Sequence, residues 1–247
     1  MTVSIITITR NNAAGLAETL RSVQAQTHRD IEHIIVDGMS TDDTPLVLAR
    51  HAKGCRIISR EPKGVYDAIN HGLHEARGEV IALLHAGDTY ARRDVVESIA
   101  DAFSGTDAPD YLYGDVRIGN RPYIGRDASR KTLLGGFAPP HPSLAMTAPA
   151  HRHAGEYDPS FSIAGDFEMF LRLFFDDTLT GRYTPKVCVH MNPGGFSSKW
   201  HSRLITNNRE RLRALRMHNL PASPLRLASH YLYTIKHKLF NNKDING

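Results

Sequence analysis

Cysteine is scarce in this chain: two residues among 247, Cys55 and Cys188, far apart and without a C-x-x-C spacing. That excludes a disulfide scaffold or a zinc ribbon, and it is the usage expected in a reducing, cytoplasmic compartment. No apolar run approaches the roughly 18 residues that suggest a membrane-spanning helix. The opening "MTVSIITITRNN" has a short apolar run ending at Arg10, with no basic leader and no small-residue cleavage site. It is expected to be a first strand, not a signal peptide. No G-x-G-x-x-G follows it, which disfavours a dinucleotide-dependent enzyme, and no internal repeat or low-complexity tract occurs. Positive charge is short in the body of the chain. Residues 1–198 hold twenty Lys/Arg against twenty-four Asp/Glu, a net of −4, whereas residues 199–247 carry a net of +8. A basic tail on a near-neutral body is expected to meet something anionic.

What is present is ordinary for a globular protein, with 41% apolar and 23% charged residues. "VSIITIT" (3–9) is rich in β-branched residues and reads as a buried strand. "NNAAGLAETLRSVQAQT" places Leu16, Leu20 and Val23 at helical spacing, and "IEHIIVDG" is a second strand ending at Asp37. Ser40 or Thr41 is placed to cap a helix through Leu46 and Leu48, with Asp42 and Asp43 as first-turn acids. "CRIISRE", "GVYDAINHGLHEARG" and "EVIALLHAGD" give strand, helix and strand, Gly78 being the expected helix terminator. Four strand–helix alternations in under ninety residues predict an α/β fold: an open, Rossmann-like, mostly parallel central sheet flanked by helices. Ligands of such sheets sit beyond the carboxyl ends of the strands, where Asn11, Asp37, Arg60 and Asp88 fall.

The alternation breaks after Phe103. "LYGDVRIGNRPYIG" reads as a hairpin turning near Gly119-Asn120, and "GGFAPPHPSLAM" as a loop leading to a short strand. Phe167, Phe170, Leu171 and Phe174 start a helix near Asp166, "KVCVHM" is another strand, and "NPGGFSSK" a mobile loop. From about Ser202 the pattern is helical, broken by Pro221 and Pro224.

Five of these blocks, in order, resemble the family 2 glycosyltransferases of the GT-A fold, in particular their bacterial polysaccharide-assembly branch. They are "VSIITITRNN", "IEHIIVDGMSTDDT", "KGVYDAINHG", "ALLHAGD" and "FSIAGDFEMFLRL". The resemblance covers most of residues 1–200 and none of the last fifty. It divides the chain into a catalytic domain, 1–200, and a basic helical extension, 201–247. Within the domain, 1–103 is the nucleotide-sugar half and 104–200 the acceptor-side half. It implies an inverting, metal-dependent hexosyltransferase that moves a sugar from a nucleotide-diphosphate sugar to a hydroxyl of a glycan or lipid-linked acceptor.

Asp37, as a carboxylate after an apolar strand, is suited to accept hydrogen bonds from a base or ribose, and also to make a turn beside Gly38. The resemblance implies the former, with Thr9 and Asn11 in the same pocket. A departing diphosphate needs its charge neutralised. Asp88 is the expected ligand for Mn2+ or Mg2+, which prefer oxygen donors. The family's metal motif has several acids where this chain reads His85, Ala86, Gly87, Asp88, so one carboxylate remains and the phosphates would supply further ligands. A strand-end His85 with a hydrogen-bonded ring is the plainer expectation for that residue. Asp67 and Asn70, at i and i+3, share a helix face that the resemblance puts in the donor pocket, with Arg60 and Lys63 as diphosphate contacts. His141 and His190 stand near loops expected to close on the donor, His190 within reach of phosphates or metal.

Inverting transfer needs a base for the acceptor hydroxyl. The resemblance places it at Asp166, where a helix N-terminus holds a carboxylate ionised but equally makes a cap; Glu168 is the fallback. In the tail, Leu225, Ala228, Leu232, Ile235 and Leu239 recur every three or four residues among Arg and Lys. Such a helix suits peripheral contact with the inner face of the plasma membrane, or packing on protein. Nucleic acid is not expected, since no binding motif accompanies the charge. Two rival readings stay open: a nucleotidyltransferase of related fold, and a nucleotide- or sugar-binding module without catalysis.

Overall fold

The structure, a computed structural model, describes residues 1–61, 63–119, 121–123, 127–192 and 200–227. Strand β1 (Val3–Thr9) is β-branched at every position but Ser4 and buried on both faces. Its alternate side chains enter two cores: Val3 and Ile5 on one side, Ile6 on the other. Helix α1 (Ala13–Gln24) turns Leu16, Leu20 and Val23 inward. Then come β2 (Ile31–Asp37), α2 (Thr44–His51), β3 (Arg56–Ser59), α3 (Val65–Glu75) and β4 (Val80–Leu83). The four strands are parallel, in the order β3-β2-β1-β4. Connections of this kind place the next helix on a face of the sheet, which is why the strands are apolar on both sides.

Two details of this half differ from expectation. The helix after β2 starts at Thr44 with Asp43 at its N-cap position, so Asp42 and Asp43 precede its first turn. Ser40 bonds back to Asp37 instead of capping, and the Asp42 carboxylate accepts the Ala13 and Thr44 amides. Gly78 does not end a helix either. Its amide donates to Ser4 Oγ, and an added Cβ would lie 2.7 Å from the Ser4 nitrogen, so the residue is small because β1 is close.

Beyond β4 the chain crosses to the far edge of the sheet as β5 (Thr89–Tyr90) and then forms α4 (Val95–Ala102). β6 (Tyr111–Ile118) and β7 (Arg121–Tyr123) make the expected hairpin, with Ile118 opposite Arg121. The short helix α5 (Arg130–Leu134), β8 (Ala145–Thr147), α6 (Ala148–Ala154), α7 (Gly165–Phe175), β9 (Gly181–Met191) and α8 (Trp200–Met217) complete it. Among the described residues the sheet has nine strands, extending as β4-β8-β6-β9-β5 with β7 on β6. β8 joins β4 antiparallel, so one sheet runs through both halves of the chain. β9 begins at Gly181, well before "KVCVHM", because the whole length of β6 is available to pair with it. The face carrying α3 also packs Phe167, Phe170 and Leu171 of α7 against Ala214 and Leu215 of α8. The loop at 193–199 and the tail from 228 lie outside the described residues. No helix among those described is long and apolar enough to cross a membrane.

Candidate active site

The carboxyl ends of β1, β2 and β3 are tied together: Gly38 N–H donates to Thr9 O, and Arg60 N–H to Asp37 O. Register puts Thr9 directly opposite Asp37. Asp37 is buried, and its carboxylate accepts the Ser40 hydroxyl at 2.5 Å and the Ser40 amide at 3.2 Å. The turn expected beside Gly38 therefore exists. The neighbouring Thr9 Oγ1 is buried without a hydrogen-bond partner among the described residues. A buried unpaired hydroxyl costs roughly 1–3 kcal/mol, so this strand end holds unmet hydrogen-bonding capacity. Asn11 sits at φ +50, and its amide oxygen accepts the Thr41 N–H at 2.7 Å.

Arg60, Lys63 and Asp67 meet at the start of α3. Asp67 accepts the Lys63 amide at 3.3 Å and lies 3.5 Å from His71 Nε2. The Arg60 guanidinium is 3.4 Å from His71 Nδ1. Both cationic side chains are exposed at this edge. Asn70 is placed otherwise than its spacing from Asp67 suggests. It is buried, its Nδ2 donates to Tyr157 O at 2.7 Å, and its Oδ1 accepts Tyr157 N–H at 2.9 Å. Its amide joins α3 to the segment before α7 instead of facing a donor.

Asp88 follows a turn in which Gly87 takes φ +103, a conformation cheap only for glycine. Thr19 of α1 locks this turn: its hydroxyl accepts Gly87 N–H and donates to Asp88 O at 2.7 Å. The Asp88 carboxylate is buried, and burial pushes it up to about 6, with the Asn192 amide at 3.3 Å working the other way. A desolvated carboxylate with so little compensation is suited to a divalent cation that keeps waters and phosphate oxygens as further ligands. Among the described residues no three His, Cys, Asp or Glu side chains cluster as a complete protein-supplied site. One step along, His190 of β9 pairs with Thr89 and is exposed. The His85 ring is not hydrogen-bonded through Nδ1, which is buried and has no partner among the described residues. Burial drives that imidazole down to about 3, so it stays neutral. His141 is buried too, its Nε2 2.9 Å from Tyr157 Oη and its ring 5.9 Å from His85. It packs beneath the site rather than standing at its mouth.

Asp166 is the second residue of α7. Its amide donates to Tyr66 Oη at 3.2 Å, and its carboxylate accepts the Phe167 amide at 2.7 Å. Because Tyr66 lies in the first turn of α3, Asp166 stands at the carboxyl edge of the sheet. The N-cap position belongs to Ala164, so Asp166 is not the cap. Burial raises its proton affinity and outweighs the Arg211 guanidinium and the Phe167 amide, which pull it down. A helix terminus acting alone would shift it the other way, but the desolvation of this half-buried carboxylate outweighs it. Glu168 is no substitute: it is buried and paired with Arg172 at 2.7 Å and His218 at 2.8 Å. Thr19, Tyr66, Asn192 and Glu210 are not singled out by sequence reasoning. Tyr66 adjoins Asp67 and Asn192 lies two residues after His190, so those two stand near residues that are.

The sequence pattern described as Glycosyl transferase family 2 matches residues 4–161. An uncharacterized glycosyltransferase of Mycobacterium tuberculosis is 36% identical over 181 residues, 69% of this chain and 68% of that protein. A PGL/p-HBAD biosynthesis glycosyltransferase of Mycobacterium bovis is 33% identical over 204 residues, 79% of this chain and 78% of that one. Among solved structures, S. aureus TarS 1-349 in complex with UDP-GlcNAc superposes with a TM-score of 0.70 at 15% identity, over 97% of this chain and 73% of that one. The mannosyltransferase PcManGT of Pyrobaculum calidifontis, in complex with GDP-Man and Mn2+, gives 0.66 at 18%, over 91% and 66%. A parallel α/β half closed by a mixed extension, acids at its carboxyl edge and these likenesses agree: the chain belongs to glycosyl transferase family 2, with the GT-A fold.

Proposed function

We propose that the protein is an inverting hexosyltransferase that takes a sugar from a nucleotide-diphosphate donor and places it on a hydroxyl of a glycan or lipid-linked acceptor in cell-surface polysaccharide synthesis. The observation that carries this reading is the placing of two acids at the carboxyl edge of the sheet, Asp88 in the turn after β4 and Asp166 at the start of α7 against Tyr66 of α3. Asp37 and Thr9 are the proposed contacts to the nucleoside, with Asn11 at the rim. Arg60 and Lys63 offer cationic reach to the diphosphate, Asp67 orders the Lys63 backbone, and His190 flanks Asp88. Asp88 would hold a manganese or magnesium ion, which when bound supplies charge neutralisation to the leaving diphosphate. Asp166 takes the proton from the attacking hydroxyl, and its raised proton affinity brings it nearer the operating pH than an ordinary carboxylate. The domain would act from the cytoplasmic side, peripherally on the membrane face, through the extension from 201 onward.

The test is a screen of UDP- and GDP-sugars with and without manganese, reading release of nucleoside diphosphate. At least one donor turns over, and Asp166→Asn abolishes transfer. No binding of any donor in calorimetry defeats the assignment. Binding without turnover on any acceptor turns the reading into a binding module.

A further inference from the structure

Helix α8 belongs to the part of the chain beyond the family match at 4–161, yet one of its side chains reaches the segment that carries Asp166. Glu210 is buried, and its carboxylate collects three successive backbone amides. Ser162 donates to Oε1 at 2.9 Å, while Ile163 and Ala164 donate to Oε2 at 2.9 and 2.8 Å. Burial works to raise this carboxyl, but those amides together outweigh it and hold it below the usual range. Glu210 is therefore an anion fixed by its bonds to the turn that launches α7, two residues ahead of Asp166. On the opposite side, the Tyr66 hydroxyl of α3 donates to Ile163 O at 2.7 Å and accepts the Asp166 amide. Its ring leaves so little room that a Cβ at Gly165 would lie 2.8 Å away. Next to Glu210, the Arg211 guanidinium lies 5.3 Å from the centre of the Phe167 ring and donates to Gly136 O. The Arg211 Nε is buried with no partner among the described residues.

We propose that Glu210 is a positioning residue for sugar transfer: with Tyr66, it clamps residues 162–166 so that the Asp166 carboxylate is presented to the acceptor hydroxyl at a fixed angle. The proposal rests on Asp166 being the base. Ala164 at the N-cap position of α7 offers no side-chain cap, and the amides of Ser162, Ile163 and Ala164 leading into the helix find their acceptor on distant α8 instead. A base misplaced by about 1 Å loses on the order of 100-fold in rate, so a clamp of this kind acts on kcat. The charged and titratable groups around Asp166 are Tyr66 from α3, Tyr157 from the segment before α7, and Glu210 and Arg211 from α8. Glu210 raises the proton affinity of Asp166 and Arg211 lowers it.

The test uses the full chain, with turnover on the donor found in the screen, calorimetry with UDP and GDP in the presence of manganese, and the pH profile of kcat at saturating manganese. Glu210→Gln is expected to lower kcat about 10- to 100-fold, to leave nucleotide affinity within twofold, and to move the acid limb to lower pH. Arg211→Gln is expected to move that limb to higher pH, and Glu210→Asp to keep its position while lowering kcat less. A purely structural role would not give limbs that move in opposite directions. Tyr66→Phe, which keeps the ring but not the hydroxyl, carries the test if Glu210→Gln does not fold: lowered kcat at unchanged nucleotide affinity supports the clamp, and unchanged kcat overturns it. An undiminished kcat with an unmoved limb in a folded Glu210→Gln, alongside an inactive Asp166→Asn, overturns the positioning role alone. A fully active Asp166→Asn removes the base assignment itself.

Discussion

In the first half of the chain, the acids that matter follow directly from the strands that carry them. Asp37 ends β2, and Asp88 stands five residues beyond β4 in a turn locked by Thr19. In the second half, the position of Asp166 is set by residues about a hundred and about fifty places away: the Tyr66 hydroxyl and the Glu210 carboxylate. The first half is thus built from local strand–turn–helix units, and the second from long-range contacts seated on the first. The joints between them include β8 against β4, β5 against β9, a shared apolar core, Asn70 on the Tyr157 backbone, and Tyr66 on residues 163 and 166. A locally built site tolerates change elsewhere, whereas one assembled from distant segments transmits it.

The largest effects should separate the two sides. Asp88→Ala and Asp166→Asn are each expected to reduce turnover at least 100-fold, in line with loss of a leaving-group site or a general base. Calorimetry with UDP or GDP and manganese should show more than tenfold weaker binding for Asp88→Ala and no more than twofold change for Asp166→Asn. Equal losses of affinity would break the division of labour.

Next comes acid stability, to which both halves contribute. Burial holds His33 of β2, His141 and His151 at about 4, against an ordinary value of 6.5. Below 6.5 the unfolded chain takes up protons that the folded protein refuses, so stability present above that pH is lost on the way down to about 4. The expected slope is roughly 1.4 kcal/mol per pH unit for each histidine. Denaturation between pH 7 and 4.5 checks it, and a flat profile contradicts it. A single transition would show that the halves unfold together.

Smaller effects fall on the joints. Asn70→Leu deletes two buried hydrogen bonds and strands the Tyr157 backbone, which should cost about 2–4 kcal/mol in urea denaturation. A loss similar to that of an exposed substitution would mean that the halves are held by the sheet and the shared apolar core without this joint. Gly165→Ala presses a methyl group into the Tyr66 ring and should cost about 1–3 kcal/mol. It is expected to lower kcat more than it raises KM for the donor, since the strain falls beside Asp166.

Much of this molecule is legible in its sequence, for one reason. Runs of β-branched residues and period-3.6 apolar patterns are local, so "VSIITIT", "IEHIIVD" and the Leu16–Leu20–Val23 stripe name their own elements and place Asp37 and Asp88 at strand ends. Residues whose roles depend on remote partners escape that reading. Asn70 shares a face with Asp67, but its amide is taken up by Tyr157. His141 adjoins prolines in a loop-like stretch, yet packs on Tyr157 and His85. The sign of the Asp166 shift follows burial, which the helix pattern does not report.

The sequence by itself determined the α/β class, the order of strands and helices through β4, and the family, because those rest on short-range patterns and ordered motifs. Tertiary structure alone decided how β8 splices the halves into one sheet, why the Thr9 hydroxyl is buried without a partner among the described residues, and how α8 grips the segment leading to Asp166. Those outcomes depend on strand register and desolvation, which arise only when segments distant along the chain come to share a dry interior.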